Sequence, residues 1–279
     1  MRKWLCALML VVLFAGNSAA KDRNVGLLTQ LNVTQEEFQT YMEAALSSGL
    51  WTLFSTGDDS KDQAIFVFYD SLTAMQLGLN KGEVDEIDLP EAVGEYMINV
   101  NPGYAIAAIS TFKPVSFVFG FRDEDGAALR DRFNEALKAM KEDRTLARLR
   151  GRYITEPGVG EPQPVAFEKF NGADTLKVAV TGDLPPIDFV AADGTPAGFN
   201  TAILSEIGKR LHLNVELVNI DSGARAASLA SGRSDVVFWF RVYEGVDTQP
   251  DIPDGIIVSD SYYEWTKYLH IRKKANGDR

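Results

Sequence analysis

Cysteine is all but missing from the 279-residue sequence: Cys6 stands alone, so no disulfide can form within the chain. Histidine is scarce as well. His212 and His270 lie far apart and lack neighbouring carboxylates at ligand spacing, which argues against a zinc site or a Ser-His-Asp triad. Neither GxGxxG nor GxxxxGK[ST] occurs, so the sequence holds no phosphate-cradling loop. Basic residues are in deficit: 28 Lys and Arg against 39 Asp and Glu leave a formal charge of −11. A nucleic-acid binder draws its affinity from clustered cations on phosphates, and this composition excludes one. After the first fifteen residues no apolar run is long enough to span a bilayer. What remains is the composition of an ordinary globular protein, 46% hydrophobic and 24% charged, of a length that suits two lobes.

The N-terminus reads as a leader. Arg2 and Lys3 precede an apolar run from Trp4 to Ala15, and Ser18-Ala19-Ala20 supplies small residues for cleavage after Ala20. Twelve apolar residues span about 18 Å as a helix, too short for a bilayer core. Cys6 lies inside that run, which disfavours a lipid-modified N-terminus. The expectation is an exported, periplasmic protein.

Beyond the leader, strands and helices alternate. Thr34 and Glu37 form a capping box opening a helix with Phe38, Met42 and Leu46 on one face. A strand at 64–69 leads to a helix capped by Asp70 and Ser71 and ended by Lys81-Gly82. A strand at 84–89, a helix at 92–97, and two strands at 104–109 and 115–121 follow. Residues 127–153 read as a long amphipathic helical stretch of two helices, with many surface Arg, Lys and Glu. Pro157, Gly158, Gly160, Pro162 and Pro164 make 154–173 a linker. Then come strands at 176–181, 215–220, 235–240 and 267–272, with helices at 200–211 and 223–230. This alternation predicts an α/β fold with mostly parallel sheets.

Residues 174–245 carry a resemblance. Leu176-Lys-Val-Ala-Val180 runs into Asp183-Leu-Pro-Pro186, Gly198-Phe-Asn200 opens a helix, and Leu229-Ala-Ser-Gly-Arg-Ser-Asp235 leads into Val236-Val-Phe238. The stretch resembles the first lobe of the family 3 extracellular solute-binding proteins of ABC importers. Ser259-Asp-Ser-Tyr-Tyr263 and Tyr268–Lys274 resemble that family's crossover and the first strand of its second lobe. The rest of that lobe resembles the N-terminal part, in the Thr34 helix and Tyr69–Met75 with Leu79–Asp85, and Phe119–Arg122 with Leu129–Leu137 resembles the family's C-terminal strand and helices. The resemblance therefore implies a circularly permuted, two-lobed periplasmic-binding-protein-like fold (type II). Lobe 2 is 21–103 plus 258–279 and lobe 1 is 104–257. The linker 154–173 joins the ancestral ends, and hinge strands lie near 103–113 and 259–263.

The ligand is then expected in the cleft between the lobes, with hinge closure around it. The family's first turn puts an aromatic on the ligand; here Asp183 and Leu184 occupy it. Read as a strand, Trp239, Arg241 and Tyr243 share one face, and an arginine on a core face is costly without a partner, which points that face to the cleft. The family's carboxylate-clamping arginine corresponds to Asp247 and its ammonium-binding acid to Pro90. Those roles pass to Arg241 and to Asp88 or Glu91. The resemblance implies a binding protein for an amino acid or related compound, monomeric, without cofactor or metal, delivering its ligand to an ABC permease. The alternatives are a dehydratase-like enzyme on the same fold, using Glu86, Asp88, Glu91 or Asp183 as acid or base, and a receptor's sensory module.

Overall fold

The computed structural model describes residues 23–49, 51–55, 64–156 and 160–275. The expected leader, with Cys6 and the cut after Ala20, lies outside the described residues, as do 157–159 of the expected linker.

The chain opens with β1 (Arg23–Leu28) and α1 (Gln35–Ser47). The Thr34 capping box forms: Glu37 N donates to Thr34 Oγ1 at 3.2 Å and Thr34 N donates to Glu37 Oε2 at 2.9 Å. β2 (Trp51–Ser55) and β3 (Ala64–Tyr69) follow. Ser71 caps α2 (Leu72–Lys81), accepting from Ala74 N at 3.0 Å, and Gly82 closes it at φ 77°, where a glycine carries no Cβ penalty. β4 (Glu86–Pro90) runs directly into α3 (Glu91–Val100), and β5 (Tyr104–Arg122) comes next. α4 (Ala127–Glu142) and α5 (Thr145–Arg150) end in a π-helical turn over Gly151–Thr155. The remainder comprises β6 (Thr175–Val180), β7 (Asp183–Leu184), β8 (Asp188–Val190), β9 (Pro196–Ala197), α6 (Gly198–Leu211) and β10 (Asn214–Asn219). α7 (Arg225–Ala230), β11 (Val236–Tyr243), β12 (Ile256–Val258) and β13 (Tyr263–Lys273) complete it.

Eight strands run in the order β10-β6-β11-β5-β13-β4-β1-β3. The outer pairs are parallel, β10 with β6 and β1 with β3 and β4, as the strand–helix alternation predicts. The centre is antiparallel, so the sheet is mixed rather than mostly parallel. β5 is one strand of 19 residues where two short ones are expected. Pro114 does not break it, because β5 shifts register against β13 there, between Trp265 and Lys267, where no ladder donor is required. Along one edge β5 takes β12 and then β13; along the other it takes β11 over 115–120 and β2 over 108–112. Each half of β5 thus serves a different half of the sheet.

Helices cover both halves. α4 buries Phe133, Ala136, Leu137 and Met140, and α6 buries Phe199, Ile203, Leu204 and Ile207. α2 and α3 bury Met75, Leu79, Val93 and Met97. β5 contributes Phe117, Phe119 and Phe121. At Gly120 an added Cβ would stand 2.1 Å from the Phe240 ring, so a glycine is what lets β11 close on β5. The described part of the linker is tied to neighbouring elements: Val165 N donates to Pro196 O at 2.9 Å, and Asn214 Nδ2 reaches the Phe170 and Ala173 carbonyls at 3.0 Å.

The C-terminal strand lies inside the sheet of the N-terminal strands. Tyr268, Leu269, His270 and Ile271 pair with Pro90, Leu89, Asp88 and Ile87. The other edge of β13 pairs with β5. Removing 264–279 therefore strips a central strand and orphans two ladders. The truncated chain is expected to lose cooperative unfolding by circular dichroism; a transition like that of the full chain would show that β13 is dispensable.

Candidate functional site

Strand pairing joins the two halves of the described sheet only along β5 and β13, which leaves a crevice where β1, β4 and β11 end. Its walls come from both halves: Leu27, Leu28, Asp88 and Leu89 on one, Leu184, Trp239, Arg241 and Tyr243 on the other, with Ser110, Phe112, Phe117 and Tyr268 on the connecting strands. With its open mouth the crevice measures about 540 Å³, but only about 30 Å³ of it admits the centre of a water molecule. The smaller figure describes the free interior, room for about two waters. The halves are drawn together.

Of the residues picked out from sequence, Leu184, Trp239, Arg241, Tyr243 and Asp88 come together on these walls. Glu91 does not join them. It opens α3 and pairs with Lys267, Nζ to Oε1 at 2.9 Å, with both side chains substantially exposed. Asp183 faces the opposite half, accepting at one oxygen from Leu72 N at 2.7 Å and Thr73 N at 3.3 Å.

Arg241 is buried at a charged knot. Its Nε donates to Asp251 Oδ2 at 3.1 Å and its backbone N to the same oxygen at 2.9 Å. Nη2 donates to the carbonyls of Leu28 and Thr29 at 3.2 and 2.9 Å. With the Gln30 amide turned so that its oxygen faces the guanidinium, that oxygen lies 2.9 Å from Nη1. Arg225, fully buried, grips Asp251 from the other side with two bonds of 2.8 and 2.6 Å and lies 3.9 Å above the Trp239 ring. Burial opposes the Asp251 charge, yet the two arginines outweigh it and hold the carboxyl below its usual range.

Arg225 and Asp251 escaped sequence reasoning. The signal for Arg225 is its place four residues before Leu229, on the buried stripe of a short Ala-rich helix. Nothing local marks Asp251, whose partners lie 10 and 26 residues away.

A second polar group sits across the crevice. His270 Nε2 is 3.0 Å from Ser110 Oγ, and its Nδ1 is 3.5 Å from Glu86 Oε2. Glu86 is also 3.4 Å from Arg23 Nε. Asp88 Oδ1 has no hydrogen-bond partner, His270 being 3.8 Å away. Burial pushes the Asp88 carboxyl up to about 6; His270 and Arg241 pull it down and Glu86 pushes it up. Trp239 Nε1 is likewise without a partner. The arrangement offers aromatic walls, one unpaired acid and two arginines already neutralised in part: a polar handle in an apolar slot. No group of three or more His, Cys, Asp or Glu among the described residues is placed to hold a metal. No described helix is long and apolar enough to cross a membrane.

Residues 176–275, from β6 through β13, match the model of bacterial extracellular solute-binding proteins, family 3. No curated protein matches the sequence. Among solved structures the chain is similar to the ligand-binding component of an ABC-type import system from Staphylococcus aureus, at 10% identity and TM-score 0.44, covering 91% of this chain and 66% of that one. It is also similar to the methionine-binding protein MetQ (11%, 0.43, covering 92% and 85%) and to a putative L-cystine ABC transporter from Listeria monocytogenes (11%, 0.38, covering 92% and 84%).

The raised Asp88 carboxyl makes stability depend on pH with a definite sign. Between its usual 3.8 and about 6, the folded chain keeps a proton that the unfolded chain has released. The folded state binds more protons there, so stability falls as pH rises through that window, by roughly 3 kcal/mol at most. Asp88→Asn is expected to flatten this fall in urea midpoints measured from pH 4 to pH 7. Identical slopes in variant and wild type would place the proton elsewhere.

Proposed function

We propose that the chain is a periplasmic solute-binding protein that captures one small molecule in the crevice and delivers it to an ABC permease. The observation that carries this reading is the match of 176–275 to a solute-binding family, within a sheet whose halves are joined only by β5 and β13. A crevice walled from both sides by such halves opens and closes by bending two strands. Leu184, Trp239, Tyr243 and Tyr268 would form the apolar walls and Asp88 the polar contact. Arg241 would shape the pocket, since protein acceptors already take its donors. Glu91, paired with Lys267 and absent from the crevice walls, takes no part. An amino acid or related compound, the ligand class that the resemblance implies, would enter only with the halves parted, since the interior as it stands has room for about two waters.

An enzyme on the same scaffold has one observation in its favour, the Asp88 carboxyl raised to about 6, near the working range of a general acid or base. Turnover of molecules that the protein binds separates the two readings.

Native mass spectrometry of protein purified without refolding is expected to show one small molecule per chain. Asp88→Asn is expected to weaken its retention at least tenfold, the scale of a hydrogen bond to a charged group. A chain that carries nothing, and takes up nothing from a metabolite extract, would defeat the binding reading.

The permuted order belongs to the same proposal. Lobe 1 would be 104–257 and lobe 2 the two ends together, 21–103 plus 258–279. A chain rearranged to run from 175 to 279 and then through 21–153 moves the cut to the linker. It is expected to fold and to hold the same molecule, and its failure to fold would refute the permutation.

A further inference from the structure

The crevice is closed by the chain's own groups. At α2, Ser71 Oγ accepts from Ala74 N, and Asp183 Oδ2, from the opposite half, accepts from Leu72 N and Thr73 N. The positive end of the helix, which elsewhere holds free anions, is filled by a carboxylate 110 residues away in sequence. Beside it, Ser222 N donates to Asp70 O at 2.7 Å, and a Cβ on Gly223 would stand 2.5 Å from Asp70 Oδ1. Arg225 and Arg241 both donate to the Thr29 carbonyl, at 3.2 and 2.9 Å. Asn32 N donates to Pro250 O at 2.7 Å, and Asn32 Nδ2 to Gln249 O at 3.0 Å. The second place where an anion would settle, between the two arginines, already holds Asp251.

We infer that Asp183 is an intramolecular latch: its carboxylate occupies the anion position at the start of α2 and ties the two halves of the molecule together across the crevice. The latch stands on this geometry alone and holds whatever the crevice binds.

The latch is tested without the natural solute, so its outcome is separate from that of the binding experiment. Asp183→Ala removes the carboxylate and leaves space for acetate. Asp183→Asn removes the charge and keeps the space filled. Asp183→Ala is expected to lower Tm by about 3–8 °C, the scale of a lost helix cap in a chain of this size. Acetate at tens of millimolar is expected to restore much of that loss, whereas chloride at equal ionic strength does not. Acetate is expected to have no such effect on the wild type or on Asp183→Asn, where the position is occupied. In small-angle scattering both variants are expected to show a larger radius of gyration than the wild type. Unchanged Tm and radius in the variants, or an acetate effect shared by the wild type and Asp183→Asn, would overturn the latch. If Asp183→Ala does not fold, the radius of gyration of Asp183→Asn decides.

Discussion

β5 and β13 form the pair on which everything else hangs. They run antiparallel from Tyr104↔Lys273 to Phe117↔Tyr263, longer than any other ladder in the sheet. Every remaining described strand of the main sheet is linked by ladder pairing to the other half only through them. A long ladder is stiff along its hydrogen bonds and bends where they are interrupted. One interruption falls at Pro114, which offers no donor, opposite the register shift between Trp265 and Lys267, and a second shift lies between His270 and Ile271. Rigidity in the halves and compliance at their junction thus come from one pair of strands, and the crevice walls follow from where that pair is weakest.

The charges in the crevice obey a second constraint. Asp251 is fully buried, and an ion in that position is tolerated only when its lone pairs are met. Arg225 and Arg241 meet them from two sides and leave the knot with one net positive charge. The carbonyls of Leu28 and Thr29 and the turned amide of Gln30, all from the opposite half, point their negative ends at it. The unpaired acid, Asp88, lies on that same half, and Arg241 pulls its carboxyl down against burial. Donors on one side and acceptors on the other make the two halves electrostatically complementary when they close.

Much of the scaffold was legible in the sequence because its signals are local. The Thr34–Glu37 capping box, the Ser71 cap and the Gly82 stop each act within four residues, and each appears where its chemistry puts it. The shared face of Trp239, Arg241 and Tyr243 follows from strand periodicity, although a bulge between Val237 and Phe240 takes in Trp239 itself. The single long β5 was not legible, since its continuity across Pro114 is set by a partner strand some 150 residues on. Nor was the fate of Arg241. Periodicity could turn it toward the cleft, but only the fold brings Asp251 and the Thr29 carbonyl to it.

Glu91 and Asp183 mark the same boundary between local and tertiary information. Both are acids beside a helix start, the position where a carboxylate lowers the energy of unpaired amides. Glu91 belongs to the first turn of its own helix, α3, and turns outward to Lys267. Asp183 caps a helix of the opposite half, and its partners cannot be inferred from any spacing in the sequence. An intrahelical acid stabilises one element whatever the rest of the chain does. An acid donated across the crevice stabilises only the closed arrangement, because opening parts it from Leu72 and Thr73 while leaving both halves intact. The same interaction that caps α2 therefore sets a bias against any parting of the two halves, a bias that no intrahelical acid such as Glu91 can supply.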